Sequence, residues 1–189
     1  DSKTVAQALD AIERNAWLQS RLIDDLLDTS RIATGKLHFE PKPTDLNVAV
    51  KAAVETVRAT ASARNIELSM TLWPTSLVVM GEPVRLQQIA WNLVSNAIKF
   101  TEPGGKVTVT TASEGMCAQL IVVDTGIGIE PEFLPHVFDR FRQADGSTSR
   151  RHGGLGLGLG IADALAKMHG GQLEAQSGGV GLGSRFALR

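Results

Sequence analysis

The chain has 189 residues, 43% of them hydrophobic and 21% charged, with a net charge of −1 at pH 7. That is enough for one compact domain plus an appendage, and it leaves no basic field for a nucleic-acid surface, so no nucleic-acid partner is expected. A single cysteine, Cys117, rules out an internal disulfide framework, and no run reaches the roughly 18 apolar residues of a membrane span. Cys117 sits in an apolar strand pattern and reads as core. The chain begins at Asp1 with no leader pattern, as expected of a piece of a longer protein.

Residues 4–34 read as one long helix. Val5, Leu9, Ile12, Ala16, Ile23 and Leu26 recur at spacings of three and four, Leu18, Leu22 and Leu27 widen the stripe, and Gln19 interrupts it. Gly35 is placed to end it as the C′ residue. So much apolar surface needs cover, either in a bundle between chains or against the chain's own domain. A short strand is expected at 37–40, and Pro41 and Pro43 then break the chain, which puts a domain boundary near 35–43. Thr44 or Asp45 can cap a helix to about residue 63, with Leu46, Val50, Ala53, Val54 and Val57 inward. Strands follow at 65–72 and 77–80, a strong helix at 82–100, and a hairpin at 107–111 and 116–123. A short helix at 131–138 precedes a polar, basic stretch at 139–153 that is long enough to read as a lid. A helix at 155–169 and strands at 172–176 and 185–188 complete the pattern. Strands in hairpins as well as between helices point to a mixed sheet of about five strands with three helices on one face, a two-layer α/β sandwich of α+β class.

Three stretches carry chemistry. Residues 120–123 read as a strand that delivers Asp124 to a sheet edge. Gly126 and Gly128 follow, and without a Cβ they let a flat ligand lie against the backbone. A carboxylate only accepts hydrogen bonds, which suits an exocyclic amine such as that of adenine. A capped strand–loop turn is the other reading. On the helix at 82–100, Asn92, Asn96 and Lys99 share one face. Amides within a stripe of Leu86, Ile89, Leu93, Val94 and Ala97 are costly unless satisfied. The Asn96 carbonyl can meet Mg2+ and Lys99 can reach a phosphate; a solvated helix face is the alternative. In GGLGLGLG (153–160), glycine alternates with leucine ahead of a helix, which offers backbone N–H groups and a positive helix end to phosphate oxygens. Leu155, Leu157 and Leu159 would anchor that turn, unless the stretch is a flexible linker. Neither GxGxxG nor GxxxxGK[ST] is present. Phe138 and Phe141 either clamp the base of the lid or fill core. Arg140, Arg142, Arg150 and Arg151 either neutralise phosphate or lie in a solvated loop.

Four segments, RLQQIAWNLVSNAIKFT (85–101), VVDTGIGI (122–129), VFDRFRQAD (137–145) and GGLGLGLGIA (153–162), together resemble the N, G1, F and G2 boxes of the sensor histidine kinases of two-component systems. RLIDDLLDTSRIATGKL (21–37) is similar to the end of that family's second dimerisation helix. The resemblance implies the GHKL-type ATP-binding sandwich shared with DNA gyrase, the heat-shock chaperones and the mismatch-repair ATPases. It implies a partial dimerisation and phosphotransfer helix at 1–36 and a catalytic ATP-binding domain at 37–189. By the same resemblance, Asp124 binds the adenine amine, Gly126, Gly128 and Ile129 line the base, and Ser184 sits near it. Asn92, Asn96 and Lys99 form the catalytic face, with Mg2+ on Asn96 and a phosphate on Lys99. Phe138 and Phe141 flank the nucleotide, and Gly154, Leu155, Gly156, Leu157 and Gly158 wrap its phosphates. The implied partners are a second copy, joined as a homodimer through the helix bundle, and a response regulator receiver domain. The implied location is cytoplasmic, with any membrane anchor of the parent protein in upstream segments. Two departures stand out. The family's acceptor motif, a His followed by Glu and Arg-Thr-Pro, is absent: His38, His136, His152 and His169 stand in other contexts, so the acceptor is expected upstream of Asp1. Position 160 is Gly where the family often has Ala. The ATPase relatives carry a Glu at the position of Asn92 to activate water, and an amide cannot act as that base. The reading is therefore a kinase that transfers the γ-phosphoryl to histidine; a non-catalytic nucleotide-sensing module and an ATPase of the same fold are the alternatives.

Overall fold

The computed structural model describes residues 19–20, 23–143 and 155–189. The chain divides into two compact units, residues 1–37 and 38–189. In the first, residues 23–33 form helix α1. Gly35 adopts φ 64°, with Lys36 N–H donating to Arg31 O (2.8 Å) and Gly35 N–H to Ile32 O (3.2 Å). These are the paired bonds of a Schellman end, so Gly35 stops the helix as its position in the sequence implies. Ile23, Leu26 and Leu27 on α1 are exposed. The stripe residues from Val5 to Leu18, and Leu22, lie outside the described residues.

The second unit runs β1 (Lys42–Asp45), α2 (Leu46–Ala63), β2 (Glu67–Thr71), β3 (Val78–Gly81), α3 (Pro83–Phe100), β4 (Lys106–Glu114), β5 (Cys117–Asp124), a 3-10 turn (Leu134–His136), α4 (Gly158–Met168), β6 (Leu173–Gln176) and β7 (Ser184–Leu188). The main sheet has five strands in the order β2-β4-β5-β7-β6, parallel between β2 and β4 and antiparallel elsewhere. Its register stacks apolar rows on one face. Val109, Val122 and Phe186 are cross-strand neighbours, as are Leu120 and Leu188, and all are buried. Against them pack Leu46, Val50, Ala53, Val54 and Val57 of α2, Ile89, Leu93, Val94 and Ala97 of α3, and Ile161 and Leu165 of α4. Full burial of a Leu or Val side chain contributes about 1.5–3 kcal/mol, so this layer accounts for most of the driving force of folding. The next row on the same face is Ser184, Asp124 and Val107. The core rows therefore end on a carboxylate.

Several expectations change. Residues 36–41 have no regular structure, and the strand begins at Lys42 instead. Pro43 lies within it, opposite Met80 in a separate two-stranded antiparallel sheet with β3. A two-strand sheet consists only of edges, where proline's missing N–H costs no ladder bond. The helix expected at 131–138 is only the 3-10 turn Leu134–His136. The last helix starts at Gly158, not at 155. β5 is the middle strand of the five, so Asp124 sits at a strand end and not on an edge strand. Cys117 is exposed: it starts β5 beside the hairpin turn and alternates away from the Leu120–Val122 face.

Candidate functional site

Asp124 ends the central strand and is only 6% exposed. Its Oδ1 accepts from the N–H of Gly126 (2.8 Å) and of Ser184 (3.2 Å), and its Oδ2 accepts from the Ser184 hydroxyl (2.5 Å). A carboxylate offers about four acceptor positions. Three are used, and one remains for a ligand. Gly126 is boxed in, since a Cβ there would lie 2.4 Å from Phe100 O and 2.8 Å from the Asp124 carboxylate. Gly128 has φ +71°, and a Cβ would lie 2.0 Å from Gly179 O. The room of each missing Cβ is thus taken by protein backbone and not left for a flat ligand as the sequence suggested, so glycine is required at both places for the turn to pack.

The 126–129 turn is fastened on two sides. On one, Ile127 N–H donates to Phe100 O at the end of α3 (3.1 Å). On the other, Gly181 N–H donates to Ile127 O (2.7 Å) and Gly183 N–H to Gly126 O (3.2 Å). Ile129 N–H donates to the Ser177 hydroxyl (3.0 Å), which itself donates to Gly183 O (2.7 Å). Ser177 thus ties both loops together. Nothing in the sequence pointed to it, because its partner Ile129 lies 48 residues away in the chain.

Helix α3 passes from this turn to the second loop. Asn92 is 3% exposed, and among the described residues its Nδ2 has no hydrogen-bond partner. A buried amide without a partner costs about 1–3 kcal/mol, which marks a place where a polar ligand or water belongs. Asn92 Oδ1 lies 3.5 Å from where a Cβ on Gly158 would stand. The helix face expected to be polar therefore abuts the first residue of α4. No side chain caps α4 among the described residues, and a helix N-terminus of this kind, with its N–H groups and positive dipole end, suits an anion. Asn96 and Lys99 are half-buried on the same face of α3. Burial pushes the Lys99 ammonium below the ordinary lysine value of 10.5, and its Nζ lies 4.7 Å from the Phe100 ring centroid. Desolvation of this kind favours pairing with an anion. Among the described residues no cluster of three or more His, Cys, Asp or Glu side chains forms a metal site. The Asn96 carbonyl remains a hard oxygen ligand of the kind Mg2+ takes alongside phosphates and waters.

The remaining expectations divide. Leu157 is buried at 2% exposure and anchors the turn, whereas Leu155 is exposed at 42% and anchors nothing. Gly156 O accepts from Phe141 N–H (3.1 Å), which joins the end of the 134–143 segment to the start of the glycine-rich turn. Phe138 packs edge-on against Phe186 (6.4 Å between centroids) and serves the core, whereas Phe141 is exposed. Arg142 pairs with Asp139 (3.0 Å), an exposed contact of small energetic weight. Ser184 lies beside Asp124, as its cross-strand neighbour. Gly154, Arg150 and Arg151 lie outside the described residues.

Residues 81–189 match the family described as histidine kinase-, DNA gyrase B- and HSP90-like ATPases. The chain is 39% identical over 169 residues to the circadian input-output histidine kinase CikA of Synechococcus elongatus, covering 88% of this chain and 22% of that protein. It is 34% identical over 219 residues to the hybrid signal transduction histidine kinase D of Dictyostelium discoideum, covering all of this chain and 14% of that protein. The chain thus spans less than a quarter of the length of these two relatives. The solved structure of full-length ShkA in complex with AMPPNP superposes with a TM-score of 0.77 at 27% identity, over 96% of this chain and 37% of that one.

Proposed function

Because the chain belongs to the histidine kinase-, DNA gyrase B- and HSP90-like ATPases and carries the ATP-binding catalytic domain of the sensor histidine kinases, we propose that it transfers the ATP γ-phosphoryl group to a histidine held by a helical bundle. The observation that carries the site assignment is the end of β5. There a nearly buried carboxylate has three donors inside the protein and keeps one acceptor position. In this reading Asp124 accepts from the adenine amine, and Gly126, Gly128 and Ile129 form the floor under the base. The AMPPNP bound by ShkA supports a nucleotide here.

Asn92 Nδ2 then finds its missing partner in a phosphate oxygen or an ordered water, and Lys99 pairs with phosphate. The N–H groups at the start of α4 stabilise charge on the transferred group in this reading. Asn96 would hold Mg2+, which would supply neutralisation of the phosphate charge. Asn92 cannot deprotonate water, which favours transfer to an imidazole nitrogen over hydrolysis. Helix α1 belongs to the second helix of a homodimeric bundle in this reading, since it leaves Ile23, Leu26 and Leu27 uncovered. A response-regulator receiver domain is the onward partner.

The test is transfer itself. The chain is incubated with labelled ATP, with and without Mg2+, and with a helical hairpin from its parent protein that carries the family's acceptor histidine. Acid-labile, base-stable label on the hairpin, dependent on Mg2+, is the expected result. ATP binding without label would favour a nucleotide-sensing module, a reading open because none of the four histidines stands in the acceptor motif.

A further inference from the structure

Each α-helix leaves its last four carbonyls without partners inside the helix. Among the four described helices, α1, α2 and α4 solve this locally, each with a left-handed residue (Gly35, Asn65, Gly170) and the paired bonds of a Schellman end. Helix α3 does not. Thr101 leaves it in an extended conformation (φ −89°, ψ 133°), so its carbonyls need donors from elsewhere. Ala97 O accepts from Thr101 N–H (3.0 Å) and the Thr101 hydroxyl (2.7 Å). Ile98 O and Lys99 O both accept from Nη1 of Arg64 (2.5 and 3.0 Å), and Thr101 O accepts from its Nη2 (3.2 Å). The carbonyl between them, Phe100 O, accepts from Ile127 N–H.

We propose that Arg64 is a positioning residue for nucleotide binding: by holding the carbonyls on either side of Phe100 O it fixes the anchor of the 126–128 turn. It sets the base side of the site without touching the nucleotide. The inference rests on the reading of Asp124 and its turn as the adenine site. Arg64 is suited to the task because its planar fork can serve three oxygens at once and its charge faces the negative end of the α3 dipole. It is itself held in place as the C-cap of α2, where Asn65 turns at φ 54° and Ile66 N–H closes onto Ala61 O (2.9 Å). The coupling has little slack, since a Cβ on Gly126 would stand only 2.4 Å from Phe100 O. A shift at the end of α3 therefore has to move the turn.

The full chain is titrated calorimetrically with ATP and with adenosine, as wild type, Arg64→Ala and Arg64→Lys, well below each melting temperature. Wild-type binding tests the site reading separately. Arg64→Ala should weaken both ligands by the same factor, about tenfold for a cost near 1.4 kcal/mol. Amide exchange should speed up at Ile127 and stay unchanged at Ile161 in α4. Arg64→Lys, which keeps the charge but can serve fewer oxygens, should recover part of the loss. A folded Arg64→Ala chain with a lower melting temperature but wild-type affinity would reduce Arg64 to a helix cap and overturn the proposal. A loss confined to ATP would overturn it too, because the route runs through the base. If Arg64→Ala does not fold, Arg64→Lys decides the question: wild-type affinity for adenosine in that variant ends the proposal.

Discussion

The carboxylate of Asp124 has three donors inside the protein and one acceptor position left over. This makes Asp124→Asn a selective substitution. An asparagine can turn its carbonyl oxygen toward the Gly126 and Ser184 N–H groups, and the Ser184 hydroxyl can rotate to accept from its amide. The fold keeps its bonds, while the outward position changes from acceptor toward donor. ATP affinity should fall by about 2–4 kcal/mol, or roughly 30- to 1,000-fold, with little change in the melting temperature of the free chain. Calorimetry with an unfolding scan checks both, and wild-type affinity would remove the adenine assignment. Much of the site was legible at this scale, because Gly126, Gly128 and the Asn92–Asn96–Lys99 face depend on spacing of a few residues. Ser177 and Arg64 were not, because each acts on backbone far away in the chain: Arg64 binds carbonyls 34 to 37 residues on. Leu155 was misread because alternation with glycine does not reveal which leucines the turn points inward.

Elements were easier to read in their middles than at their ends. The apolar periods of α2 and α3 and the alternation of β4 and β5 follow from the sequence, since core burial and side-chain period are the same signal. Boundaries depend on single side chains, and Asp45 is the clearest case. Its carboxylate accepts from Asn47 N–H (2.9 Å), Leu77 N–H (3.1 Å) and the Ser76 hydroxyl (2.8 Å), and so joins the start of α2 to the chain entering β3. Desolvation pushes its pKa up, but the bonds from Ser76, Leu77 and Asn47 outweigh it, and the net shift is below 3.8. A depressed carboxyl stabilises the fold above its unfolded pKa and loses that contribution as the pH falls through the folded value. Asp45→Ala should therefore cost about 1–2 kcal/mol in urea unfolding at neutral pH, as helix caps do. The gap to wild type should narrow as the pH falls below 3.8 and through the lower folded value, where the carboxyl takes up a proton in the folded state as well. A gap that stays constant across that range would mean the charge contributes nothing. Pro43 shows the opposite limit: as a breaker it argued against a strand, yet a two-stranded sheet has only edges and accepts it.

For the molecule as a whole, the division at residue 37 is expected to separate two jobs. Every described residue of the candidate site, both sheets and helices α2 to α4 lie in residues 38–189. The first unit holds none of them but exposes Ile23, Leu26 and Leu27 along α1. A chain of 38–189 should therefore fold alone, since the buried rows from Val107 to Phe186 are complete within it. It should bind ATP with the affinity of the full chain. At 100 times its dissociation constant, ATP should stabilise it by about 2.7 kcal/mol, seen as a raised melting temperature. Self-association should require the first unit, because among the described residues only α1 shows an uncovered apolar stripe of the kind a bundle buries. Sedimentation of both chains over a range of concentrations, alongside ATP titration, separates the two roles. A 38–189 chain that still dimerises would move the interface into the catalytic domain. One that stays monomeric but loses ATP affinity would mean that the first unit completes the nucleotide site, and the division of labour at residue 37 would fail.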